Sequence, residues 1–205
     1  LVAQAYKSSR FFVGDIEGAG RIDKNAEDAI GRVVRILESK MMNITIVGMP
    51  GCGKSLLARM LAQRTGRELV DLDQAYAEKI GETPADTIMI HGEEQFRLNE
   101  TEVAKEYLVK SGLIISCGGG IVTQERNNFW LRANSNIIYL DRPLQMLTSK
   151  DRPLSASKGV EVLYEQRKDK YEALGDIRIS LDRFDNQNDF FEAALDIMRQ
   201  GGLDV

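Results

Sequence analysis

One histidine, two cysteines, one tryptophan and four prolines stand among 205 residues, and each scarcity removes a class of function. A single imidazole, His91, cannot complete a histidine-based zinc site, and neither Cys52 nor Cys117 belongs to a C-x-x-C pair. The two cysteines are expected as free, small apolar residues at strand ends, in a reducing compartment that disfavours a disulfide. No apolar run approaches the roughly 20 residues that span a bilayer. There is also no charged-then-apolar leader with a small-residue cleavage site, so the cytoplasm is the expected location. Cationic charge is not in excess: 27 Lys and Arg face 31 Asp and Glu, a net charge of -4. That balance disfavours nucleic acid as a partner, because phosphate backbones select basic surfaces.

What remains is an ordinary soluble composition, 43% hydrophobic and 28% charged, long enough for one well-buried domain with an appendage. The chain opens on Leu1 rather than Met, as expected of a piece of a longer polypeptide. A boundary falls near Lys40-Met41-Met42, dividing an N-terminal extension (1–40) from the main domain (41–205). Before it, the spacing of Ala26, Ile30, Val33, Val34 and Leu37 predicts an amphipathic helix over 25–39. After it, five short apolar runs read as parallel strands: 44–47, 68–72, 113–117, 136–140 and 177–181. Helical patterns lie between or after them at 54–64, 93–110, 160–174 and 189–199, and Thr83-Pro84 has the form of a helix start. This alternation predicts a three-layer α/β domain with right-handed crossovers.

Gly48-Met49-Pro50-Gly51-Cys52-Gly53-Lys54-Ser55 follows the first predicted strand and opens a helix, the context a phosphate-binding loop requires. Its glycines let backbone N–H groups turn toward phosphate oxygens, and the helix N-terminus favours the anion. Lys54 can reach the terminal phosphates and the Ser55 hydroxyl can hold Mg²⁺. A chance match arises in roughly one random chain of this length in a hundred, so a bound nucleoside triphosphate, ATP or a relative, is the expectation.

Asp71-Leu72-Asp73 ends the second run, at the strand end where ligands gather in such sheets. Strand alternation would point Asp71 and Asp73 the same way. One would serve Mg²⁺ through water and the other would accept a hydroxyl proton, or the pair is a solvated turn with a helix cap at Asp73. Arg97 and Glu100 share one helical face, either as a surface ion pair or as a carboxylate-binding arginine held by its glutamate. Gly118-Gly119-Gly120 ends the third run, as a plain turn or as backbone against which a ligand lies. Residues 150–159 form a polar loop suited to a lid, whose Arg152 faces either solvent or the transferring phosphoryl group. Spacing alone assigns nothing to Arg167.

Taken in order, GMPGCGKS, DLD, FRLNE, CGGG, DRPL and Arg167-x-x-x-Tyr171 resemble shikimate kinase, a member of the nucleoside monophosphate kinase-like group. The resemblance runs from about residue 43 to the C-terminus. It implies a P-loop kinase fold with a five-stranded parallel sheet in the order 2-3-1-4-5, a monomeric kinase domain, and phosphorylation of the 3-hydroxyl of shikimate by ATP. Asp73 would then bind substrate hydroxyls and act as, or beside, the base. Arg97 and Arg167 would clasp the carboxylate with Glu100 in support, and Gly118, Gly119 and Gly120 would line the pocket. Gly48, Pro50, Gly51, Cys52, Gly53, Lys54 and Ser55 would hold ATP, Ser55 and Asp71 would hold Mg²⁺, and Lys54 and Arg152 would stabilise the transition state.

The chain departs from the family pattern at three places. Leu56-Leu57-Ala58 replaces Thr-x-Gly after the loop, Lys168-Asp169-Lys170 lacks the proline expected before Tyr171, and the stretch from Arg152 to Arg167 is short. The first 40 residues, with Leu1-Val2-Ala3-Gln4-Ala5 and Phe11-Phe12-Val13-Gly14, resemble the C-terminal end of a shikimate dehydrogenase, so either a fused dehydrogenase or a plain helical linker precedes the kinase. Two rival functions stand beside shikimate phosphorylation: a gluconate- or nucleotide-directed kinase, and a sensor that binds ATP without transferring phosphate. The sensor has no use for Asp73, Arg97 and Arg167 together.

Overall fold

The computed structural model describes residues 28, 31–33, 40–147, 159–180, 186–203 and 205. The chain divides into two compact units, residues 1–42 and 43–205. In the first, residues 28 and 31–33 are helical, and the rest of the helix expected over 25–39 lies outside the described residues. The second unit holds five strands, β1 (Asn43–Val47), β2 (Leu69–Asp71), β3 (Ile114–Ser116), β4 (Ser135–Asp141) and β5 (Ile177–Ser180). They form one sheet in the order β2-β3-β1-β4-β5. All pairings are parallel, with Ile44 flanked by Ile114 on one side and Asn136 on the other.

Alternation along the strands builds two cores. Val47, Ile115, Ile137 and Tyr139 face one, and Ile44, Ile46, Ile114, Ile138, Leu140 and Ile179 face the other. The first core is covered by α3 (Pro84–Leu108) through Phe96, Val103 and Leu108, by α4 (Glu125–Ala133) through Leu131, and by α5 (Val160–Leu174) through Leu163, Tyr171 and Leu174. The second is covered by α1 (Lys54–Thr65) through Leu57, Ala58 and Leu61, and by α6 (Gln187–Gln200) through Phe190, Phe191, Leu195 and Met198. Helices thus cover both faces of the sheet, which is the three-layer arrangement the strand-helix alternation predicts.

Several local readings change. The second strand stops at Asp71, because the Asp71 carboxylate caps a short helix, α2 (Leu72–Ile80), by accepting from the amides of Asp73 at 3.1 Å and Gln74 at 3.5 Å. Asp73 therefore lies in the first helical turn, not two residues along a strand, and the cap is Asp71 rather than Asp73. Helix α3 begins at the expected Thr83-Pro84 start, at a capping box in which Thr83 and Asp86 exchange bonds, and runs on into the helix expected from 93. Its two segments meet at Gly92, whose φ of 87° and ψ of 166° break the helix where a side chain would be strained. Helices α2 and α4 escape a periodicity search because each spans nine residues with few buried positions. Cys117 follows β3 and Cys52 lies in the glycine-rich loop rather than at a strand end; both are free and buried. Among the described residues no helix is long and apolar enough to cross a membrane.

Thr83→Ala removes the side-chain acceptor of the Asp86 amide, 3.2 Å away. It is expected to lower stability by about 1 kcal/mol in urea unfolding, with an unchanged denaturant slope.

Candidate active site

The sheet order brings the carboxyl ends of β1, β2 and β3 to one edge, and the predicted residues collect there. Gly48 leaves β1 at φ 150°, pressed against the Leu140 carbonyl so closely that no Cβ would fit. The loop then turns into α1, whose N-terminal residue is capped only by Gly53 backbone, leaving its first amides aimed outward. Lys54 folds back over the loop, its Nζ donating to the carbonyls of Gly48 at 3.0 Å and Met49 at 2.9 Å. Ser55 Oγ donates to Asp71 Oδ2 at 2.9 Å and stands 3.3 Å from Ser116 Oγ. One Asp71 oxygen thus caps α2 while the other reaches the loop.

On the far side of β3, Gly118, Gly119 and Gly120 run buried past four functional groups. A Cβ on Gly118 would lie 2.7 Å from Asp73 Oδ1 and 3.1 Å from Glu100 Oε1. One on Gly119 would lie 2.7 Å from Pro50 of the phosphate loop, and one on Gly120 would overlap the Arg97 guanidinium. The three glycines are therefore a close-approach surface against which Asp73, Arg97, Glu100 and the loop all rest, and not an open turn.

Arg97 and Glu100 form a buried pair, their side chains 5% and 7% exposed, joined at 2.7 Å. This is not the surface ion pair that the spacing alone also allowed, because Phe96 beside them packs into the core and turns that helical face inward. Glu93 makes a second, partly exposed contact to Arg97 at 3.2 Å. Burial pushes the Glu100 carboxyl upward against the lowering effect of Arg97, with Asp73 adding to the rise. Arg167, on α5, donates to the Gly119 carbonyl at 3.1 Å. Tyr171 Oη donates to the same carbonyl, and burial holds its hydroxyl in the protonated form, well above the usual phenol range. Both Arg97 and Arg167 are 4% exposed, and the Nε of each is buried without a hydrogen-bond partner. Each of the two cations thus carries a buried donor without a hydrogen-bond partner, a cost that an added acceptor would offset.

Arg152 and the lid expected over 150–158 lie outside the described residues. Four residues of the site have no role in the sequence reading. Glu93 could have been found as the carboxylate one helical turn before Arg97. Tyr171 closes a quoted motif, and Ser116 is a strand residue without a distinguishing signal. Arg142 stands in the first of two DRPL tetrapeptides, 141–144 and 151–154. Its Nε is buried and unpartnered, and it lines a cavity of about 220 Å³ with Cys52, Gly53, Leu56, Asn186 and Phe190. Among the described residues no group of three or more His, Cys, Asp or Glu side chains is placed to hold a metal ion by itself. The oxygens of Ser55 and Asp71 fit Mg²⁺, a hard cation that keeps several waters and takes few protein ligands beside nucleotide phosphates.

Comparison with known proteins follows the same lines. The shikimate kinase family profile matches residues 50–198. The chain is 35% identical over 147 residues to a shikimate kinase of Persephonella marina, covering 68% of this chain and 89% of that one. It is 37% identical over 142 residues to that of Enterococcus faecalis, covering 64% and 84%. A shikimate kinase from Acinetobacter baumannii, solved in complex with shikimate, superposes with a TM-score of 0.74 at 27% identity, over 83% of this chain and 99% of that one. A gluconokinase from Sinorhizobium meliloti shares the fold at a TM-score of 0.52 and 13% identity, over 78% and 92%. With a family match over most of its length and a site in which every described motif of the resemblance meets at one sheet edge, this chain belongs to the shikimate kinase family.

Proposed function

We propose that this chain transfers the γ-phosphoryl group of ATP to the 3-hydroxyl of shikimate, giving shikimate 3-phosphate and ADP. The observation that carries the residue assignment is the pair of buried arginines with unpartnered Nε groups, reaching consecutive glycines beside Asp73. Two planar guanidinium forks suit a carboxylate, and the Asp73 carboxylate beside Gly118 suits a hydroxyl.

The phosphate loop, Gly48 to Ser55, holds the triphosphate through its backbone amides and Lys54. The base of ATP occupies the cavity beside Cys52 and Gly53, where Phe190 and Leu56 offer apolar contact and Arg142 a cation. Ser55, and Asp71 through water, hold Mg²⁺, which when bound neutralises charge on the phosphate oxygens. Arg97 and Arg167 clasp the substrate carboxylate, Glu100 fixes Arg97, and Gly118 to Gly120 give the sugar-like ring a flat wall. Asp73 accepts the hydroxyl proton as the oxygen forms its bond to the γ-phosphorus and the bond to the bridging oxygen of ADP breaks. Lys54 and Arg152 stabilise the charge that develops. The working unit is a single kinase domain, 41–205, acting in the cytoplasm, preceded in residues 1–40 by either a helical linker or the end of a fused shikimate dehydrogenase.

The acceptor is tested by ADP release from Mg-ATP with shikimate, gluconate and nucleoside monophosphates. Stimulation by shikimate alone is expected, and stimulation by gluconate or a nucleotide in its place sinks the assignment. Asp73→Asn should lower kcat by roughly 10²- to 10⁴-fold, the range of a general base, while ATP affinity by calorimetry is unchanged. Arg97→Ala should raise the KM for shikimate by roughly 10- to 100-fold, the loss of charge-assisted bonds to the carboxylate, with little change in the KM for ATP.

A further inference from the structure

Arg97 has an unusual surplus of negative charge around it for a cation that is to receive a carboxylate. Its Nη1 donates to Glu100 Oε2 at 2.7 Å and its Nη2 to Glu93 Oε1 at 3.2 Å, while its Nε is buried and unpartnered. The two contacts lie on different edges of the guanidinium. Nε and Nη2 form the side-on edge, the fork that accepts both oxygens of one carboxylate. Glu93 uses half of that fork, and Glu100 sits on the other side.

Around the clasp, the carboxylates of Glu93, Glu100 and Asp73 stand against the guanidiniums of Arg97 and Arg167. A substrate carboxylate would add a further anion to a buried site already rich in them, which is costly unless one gives way. Glu100 has no room to move: its side chain is 7% exposed, and its Oε1 stands 3.1 Å from where a Cβ on Gly118 would be. Glu93 is 37% exposed and follows Gly92, where the helix is broken and a Cβ would meet nothing within 4 Å.

Building on the proposed carboxylate clasp, we infer that Glu93 is a displaceable counter-ion. It holds the Nη2 corner of Arg97 until the substrate's carboxylate takes the whole Nε–Nη2 edge, and then turns outward at the Gly92 break. Glu93 is thus a specificity-determining positioning residue. It keeps the buried arginine neutralised and makes any small anion compete with a tethered carboxylate, so only a ligand that also gains the contacts of Asp73 and the glycine wall displaces it efficiently.

The test compares the wild-type chain with Glu93→Gln, an isosteric change, using calorimetric binding of shikimate and acetate inhibition of turnover. Glu93→Gln should bind shikimate roughly three- to tenfold more tightly, the scale of one partly exposed charged contact, with unchanged ATP affinity and stronger inhibition by acetate. In an Arg97→Lys background, which lacks the fork, the same substitution should shift shikimate binding less than twofold. Equal or weaker shikimate binding by Glu93→Gln, or a shift of the same size in both backgrounds, overturns the inference while leaving the proposed function standing. Failure of the wild type itself to bind shikimate overturns both.

Discussion

The peptide of Gly119 is the point on which both halves of the site depend. On one side it lies flat against Pro50 of the phosphate loop, closer than any side chain would permit. On the other, its carbonyl accepts from Arg167 and Tyr171 of α5. The phosphate loop and the proposed carboxylate clasp therefore both make contact with a single backbone unit. Tyr171 is in turn braced by the stacked ring of Tyr139, at a centroid distance of 5.3 Å. Tyr139 donates to Asp141, which Arg178 holds at 2.7 Å. In this way the position of Arg167 and Tyr171 is tied to β4 and β5, across the sheet from β2, at whose end the DLD motif begins. Phosphoryl transfer depends on holding two reactants in register, and this rigidity supplies the positioning.

Charge is handled in the same spare manner. A buried guanidinium is stable only when paired, and Arg97 is paired by carboxylates that differ sharply in exposure. The buried one, Glu100, fixes the orientation of the fork. The exposed one, Glu93, occupies an edge that the proposed substrate needs. Arg167 is held differently, by a carbonyl rather than a carboxylate, which orients the guanidinium without cancelling its charge. The two cations are thus held in different ways, one by direct carboxylate contacts and one by a backbone carbonyl.

Much of this was legible in the chain before folding. The strand-helix alternation predicted the layers because the central strands β1, β3 and β4 are buried on both faces and so read as largely apolar runs. The glycine-rich loop was legible because its chemistry is local: the residues that bind are contiguous and the turn demands glycine. The short helices α2 and α4 were not, since nine residues present too few buried positions to show a period. The placement of Asp73 was misread for the same reason. A side chain that ends a strand and one that opens a helix differ only in what their neighbour's carboxylate caps, and Asp71 caps α2. Arg142 went unread because the cavity it lines joins the phosphate loop to the start of α6, more than 130 residues apart in the chain.

By itself, then, the sequence determined the fold class, the phosphate loop and the family, because these rest on local spacing and on motifs kept in order. It did not decide whether Arg97 and Glu100 were a surface or a buried pair, whether Gly118 to Gly120 were an open turn or a close-approach surface, or which group Arg167 meets. Those were settled in the tertiary structure, where β3 lies between β1 and β2 and brings the glycines against groups from four separate segments. The reason is physical. Burial and close approach are properties of packing between elements distant in the chain, and no local pattern of residues encodes which partner will arrive.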